Sequence, residues 1–404
     1  MLNVRNDFPA LNQTVRGGKN LVYLDSAATA LKPNVVIDRL HHFYSMETSN
    51  VHRGAHYLSD LATTAFEKSR ETVKNFLNAE AVEDIVFTKG TTEAINLVAS
   101  VLSHQHIQAG DEIIITEMEH HANLIPWQEL AQRTGAVLKV APIDLTNGSL
   151  DMPHFQSLIG SRTKVVAVTQ ASNTLGTIND VKTICQWAHA VGALCLVDAA
   201  QSVVAMPIDV QDMACDFLCF SAHKLFGPYG VGVVYAKQSV WNSLPPYQFG
   251  GSMIDRVDFQ KSSYLNAPHR FEAGTPNISG VIGLGTAIEY VQKLSWAEIQ
   301  THENQLLSEA TTALKQIQGL TIHGQATQKT ALISFSVDGC HPADIGQMLD
   351  QEGIAVRVGH HCTQPLMKRL GIIGTVRASF SIYNNKSDVE IFVEKLQKVV
   401  RMLR

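Results

Sequence analysis

A chain of 404 residues, 45% of them apolar and 17% charged, can build one large core and a second, smaller domain, and is too apolar for disorder. A formal charge of −5 leaves no basic footprint for nucleic acid or an anionic membrane. MLNVRNDFPALN carries no apolar signal-type run, apolar stretches stop short of bilayer length, and six cysteines in so long a chain read as reduced; a cytoplasmic protein without a membrane span is expected.

Seven short apolar runs read as strands: EDIVFT (83–88), DEIIIT (111–116), VLKVAPI (137–143), KVVAVTQ (164–170), ALCLVD (193–198), DFLCF (216–220) and VGVVYA (231–236). Helical periodicity lies between several of them, over 91–102, 124–135 and 181–192. Such runs suit a mainly parallel sheet covered on both faces, and the alternation predicts a doubly wound α/β domain over residues 21–265. Residues 266–280 read as irregular, with a helix starting at GLGTAIEYVQKL and another over roughly 296–318. Strand-like TALISFSV, IAVRVG and TVRASFSIY alternate with a helix at ADIGQMLDQEG and a last helix from 387. This predicts a smaller α+β domain over 266–404, with residues 1–20 as a segment packing on it.

Ligands in doubly wound sheets bind beyond the carboxyl ends of the strands. There the sequence places His120, His121, Ser172, Asn173, Asp198, Gln201, Ser221, His223 and Lys224, with Gly90, Thr91 and Thr92 opening a helix. Asp198 follows a wholly apolar strand, so its carboxylate needs a cationic or donor partner; it either caps the next turn or faces a protonated ring nitrogen, as in pyridoxal phosphate sites. Lys224 ends a buried strand before Gly-Pro-Tyr-Gly. A confined lysine loses proton affinity, which suits Schiff-base and proton-transfer work. Thr91 and Thr92 at a helix start are either plain caps or part of a phosphate site.

These residues lie in "GTTEAINLVA", "EHHANLIPW", "SNTLGT", "VDAAQS", "FSAHKLFGP", "FEAGTPN" and "RVGHHCTQPLM", in that order. The chain thereby resembles the group II cysteine desulfurases (the SufS and CsdA kind), in the class V aminotransferase group of fold-type I pyridoxal phosphate enzymes. The resemblance implies that Lys224 carries the cofactor, Asp198 pairs with its ring nitrogen, Gln201 meets its ring hydroxyl, and His121 stacks on the ring and assists proton transfer as a catalytic residue. It implies that Thr91, Thr92, Ser221 and His223 bind the phosphate, with Thr275 reaching it from a neighbouring subunit, so a homodimer is expected. Asn173 and Arg377 would orient the substrate, and His52, Arg53 and Arg357 are further substrate-binding candidates. Cys362 would accept the sulfur.

Two of these roles have a case in the residues alone. Arg377 sits in the otherwise apolar or small-residue run TVRASFSIY, where its planar fork wants a carboxylate, either a ligand's or an internal acid's. Cys362 lies between Arg357 and Lys368-Arg369, in a basic loop of the kind that activates a cysteine. The other cysteines read as small core residues, apart from Cys340 in a loop without nearby positive charge in sequence. Adjacent His-His-Cys residues seldom converge on one ion, and no metal is expected. The resemblance implies conversion of L-cysteine to L-alanine, with the sulfur passed as a persulfide to an acceptor protein. The loop has no long Gly/Ser extension, so an acceptor of the SufE, CsdE or SufU kind is expected to come to the site. Selenocysteine lyase is the nearest alternative; kynureninase-like or aminotransferase chemistry is weaker, since neither needs that cysteine. Tyr229 is a small departure, where many relatives carry a smaller residue.

Overall fold

A computed structural model describes residues 2–103 and 106–404. All seven expected strands form one sheet, in the order Ile85–Thr88, Gly232–Tyr235, Phe217–Ser221, Leu194–Asp198, Thr163–Thr169, Glu112–Thr116, Val137–Ala141. Six run in one direction; Gly232–Tyr235 is antiparallel to both its neighbours. Every residue of Glu112–Thr116 and Phe217–Ser221 is buried, because helices cover both faces. Gly232 is required by close approach: a side chain there would stand 2.4 Å from the Cα of Gly90. Without it, the strand could not lie against the turn that opens helix Thr91–Leu102.

The chain order reverses between Glu112–Thr116 and Thr163–Thr169. Successive strands run outward on either side of that point, so the loops at their carboxyl ends diverge and leave a crevice. Glu119 spans its floor. It is 2% exposed and accepts hydrogen bonds from Thr116 Oγ1 (2.7 Å), Asn123 Nδ2 (2.6 Å) and the Thr169 amide (3.0 Å). Burial pushes its carboxyl up to about 8, so at neutral pH it is held as the acid.

A second, antiparallel sheet, ordered Leu320–His323, Leu332–Val337, Thr375–Ser379, Arg357–Gly359, packs with Trp296–Leu314, Pro342–Gln351 and Lys386–Leu403 around its own core. Helix Ile278–Gln292 starts five residues earlier than its periodicity suggested, because the Asn277 side chain caps it by accepting from the Gly280 amide at 3.0 Å. It lies after residue 265, yet Val281, Leu284, Ile288 and Val291 join the large-domain core. The run IAVRVG is split between two sheets: Ile354–Ala355 pairs in parallel with Val22–Tyr23, and Arg357–Gly359 pairs with Thr375–Ser379. Near the N-terminus, Phe8 is fully buried against Phe226, Tyr290 and Tyr383, and Arg5 donates to Asp388 at 2.8 Å. That segment therefore touches both domains.

A buried ion pair ties the helix Tyr57–Leu77 to the edge of the large sheet. Arg70, 1% exposed, forms a two-pronged pair with Glu272 (2.7 and 2.9 Å) and donates to the Ile85 carbonyl, while Glu272 also accepts from the Phe87 amide. Removing the guanidinium strands a carboxylate in the core. Arg70→Leu is expected to cost about 3–5 kcal/mol of stability by urea unfolding, and Arg70→Leu with Glu272→Gln to recover a large part of the loss.

Candidate active site

A cavity of about 250 Å³ opens at the crevice, and eleven of the expected site residues line it: Thr91, Thr92, Asn173, Asp198, Gln201, Ser221, His223, Lys224, Arg357, Cys362 and Arg377. Each arrives by a simple local device. Asp198 ends its strand, 4% exposed, with the Ala200 amide donating to Oδ1 at 2.9 Å. Lys224 closes the single turn Ala222–Lys224 that follows Phe217–Ser221. Thr91, the first residue of its helix, donates its amide to Ser221 Oγ at 2.8 Å, and the two hydroxyls meet at 2.7 Å. Gln201 donates to the Ala27 carbonyl at 2.7 Å.

The small domain supplies the rest. Residues Gly359–Cys362 have φ of +107°, –, +50° and +58° at Gly359, His361 and Cys362, leaving His360 as the exception. Two consecutive non-glycine residues in the left-handed region are strained and persist only when their surroundings hold them. Here the holding groups come from the large domain. The His121 amide donates to the Cys362 carbonyl (2.8 Å), Asn173 Nδ2 to the His361 carbonyl (2.7 Å), and Thr174 and Thr363 hydroxyls meet at 2.9 Å. Cys362 remains exposed at the cavity mouth, whereas Cys185, Cys195, Cys215 and Cys219 are buried.

The electrostatics follow from confinement. Burial lowers the Lys224 ammonium to about 8; the nearby Asp198 charge opposes that shift and Arg377 adds to it. Burial raises the Asp198 carboxyl, with Lys224 pulling the other way. Arg377, 2% exposed, is lowered to about 10 by burial, against the stabilising charge of Asp25. It donates Nη1 to the Asn173 carbonyl (2.9 Å) and Nη2 to Asp25 (3.3 Å), and its buried Nε has no protein partner. Asp25 also receives the Arg357 fork at 2.9–3.2 Å. This acid, in the run YLDSAATALKP, was not singled out from sequence, although an acid beside buried arginines is the internal partner such residues call for.

His121 is corrected. His120 lines the cavity; His121 does not, and its Nε2 instead accepts the Gln364 amide at 3.1 Å, with its ring near His360. His120 is in extended backbone and its Nδ1 accepts the Ala122 amide (3.0 Å), which turns the ring inward; His121 begins the next turn and faces the small-domain loop. Two adjacent histidines look alike in sequence, and only the turn decides which enters. His52 and Arg53 are also outside: both are exposed, and His52 is held by Glu67 at 2.8 Å. Thr275 lines a separate cavity of about 410 Å³, with Lys89 and Glu93.

The donor set suits pyridoxal phosphate: an amine, a buried carboxylate, and an anion cradle of helix start, serine and histidine whose buried His223 Nδ1 lacks a protein partner. Comparison with known proteins agrees. Residues 22–392 match the Aminotransferase class-V family, and the chain belongs to that family, within its cysteine desulfurases. It is 48% identical over 401 residues to the cysteine desulfurase of Pectobacterium carotovorum, covering 99% of this chain and 98% of the relative. A cysteine desulfurase of Synechococcus elongatus is 49% identical over 98% of this chain. The chain spans only 64%, 63% and 58% of the length of three of the curated relatives it matches, the Synechococcus protein among them. The crystal structure of cysteine desulfurase CsdA from Escherichia coli superposes with a TM-score of 0.92 at 39% identity, over 99% of this chain and 98% of that one. The family's cofactor is pyridoxal phosphate.

Burial holds His120 near 3, His223 near 4 and His361 near 3, so all three rings are neutral at physiological pH. Below the ordinary histidine value of about 6.5 the unfolded chain binds protons that these rings refuse. Each therefore contributes destabilisation that grows as pH falls from about 6.5 toward its folded value. Ring NMR resonances of these three are expected to stay at neutral-form positions from pH 5 to 8, while exposed histidines titrate.

Proposed function

We propose that this chain is a pyridoxal-phosphate-dependent cysteine desulfurase, converting L-cysteine to L-alanine and leaving the sulfur as a persulfide on Cys362. One observation carries the reading: Lys224 and Cys362, from different domains, open into the same cavity with Asp198 and Arg377. The names of the relatives favour cysteine desulfurase over selenocysteine lyase and over kynureninase or aminotransferase chemistry.

Bound in the cavity, pyridoxal phosphate supplies the electron sink for charge that develops at the substrate Cα. Lys224 would carry it, Asp198 and Gln201 would hold its ring, and Thr91, Thr92, Ser221 and His223 would hold its phosphate. Arg377 grips the substrate carboxylate, its fork steadied by Asn173 and Asp25. Lys224 Nζ, near 8, is available in both protonation states close to neutrality, so it can take the substrate α-proton and return it. His120, neutral and with Nδ1 occupied by the Ala122 amide, carries its proton on Nε2 and presents its ring to the cavity in the role first assigned to His121. Cys362 Sγ attacks the substrate sulfur: a sulfur–sulfur bond forms as the Cβ–S bond breaks. The protons released by the Cys362 thiol and by Cα complete alanine.

Thr275 lies in a different cavity from Lys224, and a second copy bringing its Thr275 to the phosphate end would complete the cradle; we infer a homodimer. The six cysteines are free thiols, as a reducing cytoplasm would keep them, and no helix among the described residues is long and apolar enough to cross a membrane. The loop at Cys362 is pinned by the hydrogen bonds to His121 and Asn173 and cannot swing far, so a SufE-, CsdE- or SufU-like acceptor must approach it.

Lys224→Ala is expected to abolish both the visible absorbance of the bound cofactor and cysteine turnover. Cys362→Ala keeps the absorbance and loses sulfur release from cysteine by at least about a hundredfold; full sulfur release from that variant would refute the assignment. Turnover with cysteine should rise several-fold on adding an acceptor protein, followed by persulfide transfer to it.

A further inference from the structure

Glu303 has no part in the chemistry described above, yet it lies behind it. The residue projects from helix Trp296–Leu314, is 7% exposed, and makes no hydrogen bond or ion pair to the described residues. It lines two cavities at once. The first, of about 370 Å³, is open at the surface and is shared with Lys329 and Gln300. The second, of about 30 Å³, has room for one or two waters and is lined by Lys224, Gln201 and Glu303, with Ser26, Ser379 and Thr330 as further polar residues. Lys224 and Gln201 also line the large cavity where Cys362 lies. Ala205 lines both of the cavities that Glu303 joins.

We propose that Glu303 is a proton-relay residue acting through Lys224, at the neck of a watered passage that reaches the lysine from the side away from Cys362. The proposal rests on the desulfurase reading, because it assigns the relay to the amine that reading uses. The step balances simply. Neutral Glu303 gives its proton through water in the small cavity to the unprotonated Lys224 Nζ, and the resulting carboxylate is reprotonated from water in the outer cavity. The route works in reverse when Lys224 must shed a proton. Substrate in the large cavity blocks water from the front, so a rear path keeps the amine in exchange with solvent while the site is occupied.

The charged residues that share its cavities are Lys224 in the small one and Lys329 in the outer one, and neither pairs with it; its neighbour His302 turns away to the Asn384 carbonyl and the Leu2 amide. Burial raises the Glu303 carboxyl to about 8, so it holds a proton at neutral pH, and burial lowers the Lys224 ammonium to about 8, so the amine can accept one.

The test uses the cofactor-loaded chain and compares wild type with Glu303→Gln, which keeps the shape and loses the proton, and Ala205→Val, which narrows the passage and keeps the acid. Wild type must bind cofactor and turn over cysteine; failure there overturns the desulfurase reading and is distinct from failure of the relay. For Glu303→Gln, cofactor absorbance and KM for cysteine are expected to stay within about twofold and kcat to fall about tenfold. Infrared difference spectra in heavy water, wild type minus Glu303→Gln, should show a protonated carboxyl band that fades above pH 8, over and above the Glu119 band common to both. Ala205→Val should lose kcat similarly while keeping the band. A kcat profile of Glu303→Gln that superimposes on wild type, or a folded Ala205→Val with unchanged kcat, overturns the relay.

Discussion

The hydrogen bonds that seat residues 361 and 362 in the crevice between two diverging strand ends are the constraint on which the site depends. The His121 amide and the Asn173 side chain each hold a carbonyl of a loop whose backbone is strained at two successive residues. A left-handed backbone at a non-glycine residue costs on the order of 1–2 kcal/mol, so this loop keeps its shape only while the large domain grips it. The grip exists because the strand order reverses there and leaves space for a guest. Seen this way, the small domain completes the cavity: without its loop the crevice has a lysine and a carboxylate, and no thiol.

The second theme is the use of burial to set protonation. Asp198, Glu119, Lys224, Arg377, His120 and His223 all sit where water is scarce, and burial pushes each toward its neutral form. Partners then decide how far. Glu119 is left as an acid and serves as a strut between Thr116, Asn123 and Thr169. Arg377 stays charged because Asp25 faces it, and Asp25 is shared with Arg357. The same pressure acts on Glu303, which finds no charged partner and opens to water on two sides. A buried polar group with no partner is costly.

Correct and incorrect assignments separate along a physical line. Seven strands, six of them running one way, were legible because a strand buried on both faces must be almost wholly apolar, and such runs stand out. Helix Thr91–Leu102 matched its expected bounds because Gly90 and two threonines mark its start. The start of Ile278–Gln292 was missed because a cap made by Asn277 looks like one more polar residue in a loop. IAVRVG read as one strand, since nothing in six residues says that two halves will serve different sheets.

Lys224, Asp198 and Cys362 were recognisable from their neighbours in the chain: an amine and a carboxylate at the ends of apolar strands, and a cysteine among basic residues. That much is local, and local composition determined it. Which of His120 and His121 enters the cavity, that Asp25 locks two arginines, and that Glu303 stands behind Lys224 were decided by tertiary structure alone. The last two depend on groups separated by tens to hundreds of residues meeting in space, and the first on a one-residue change of direction at a turn, which is invisible to periodicity. Strand and helix identity follow from short-range patterns, whereas the geometry of a site follows from how the layers close over it.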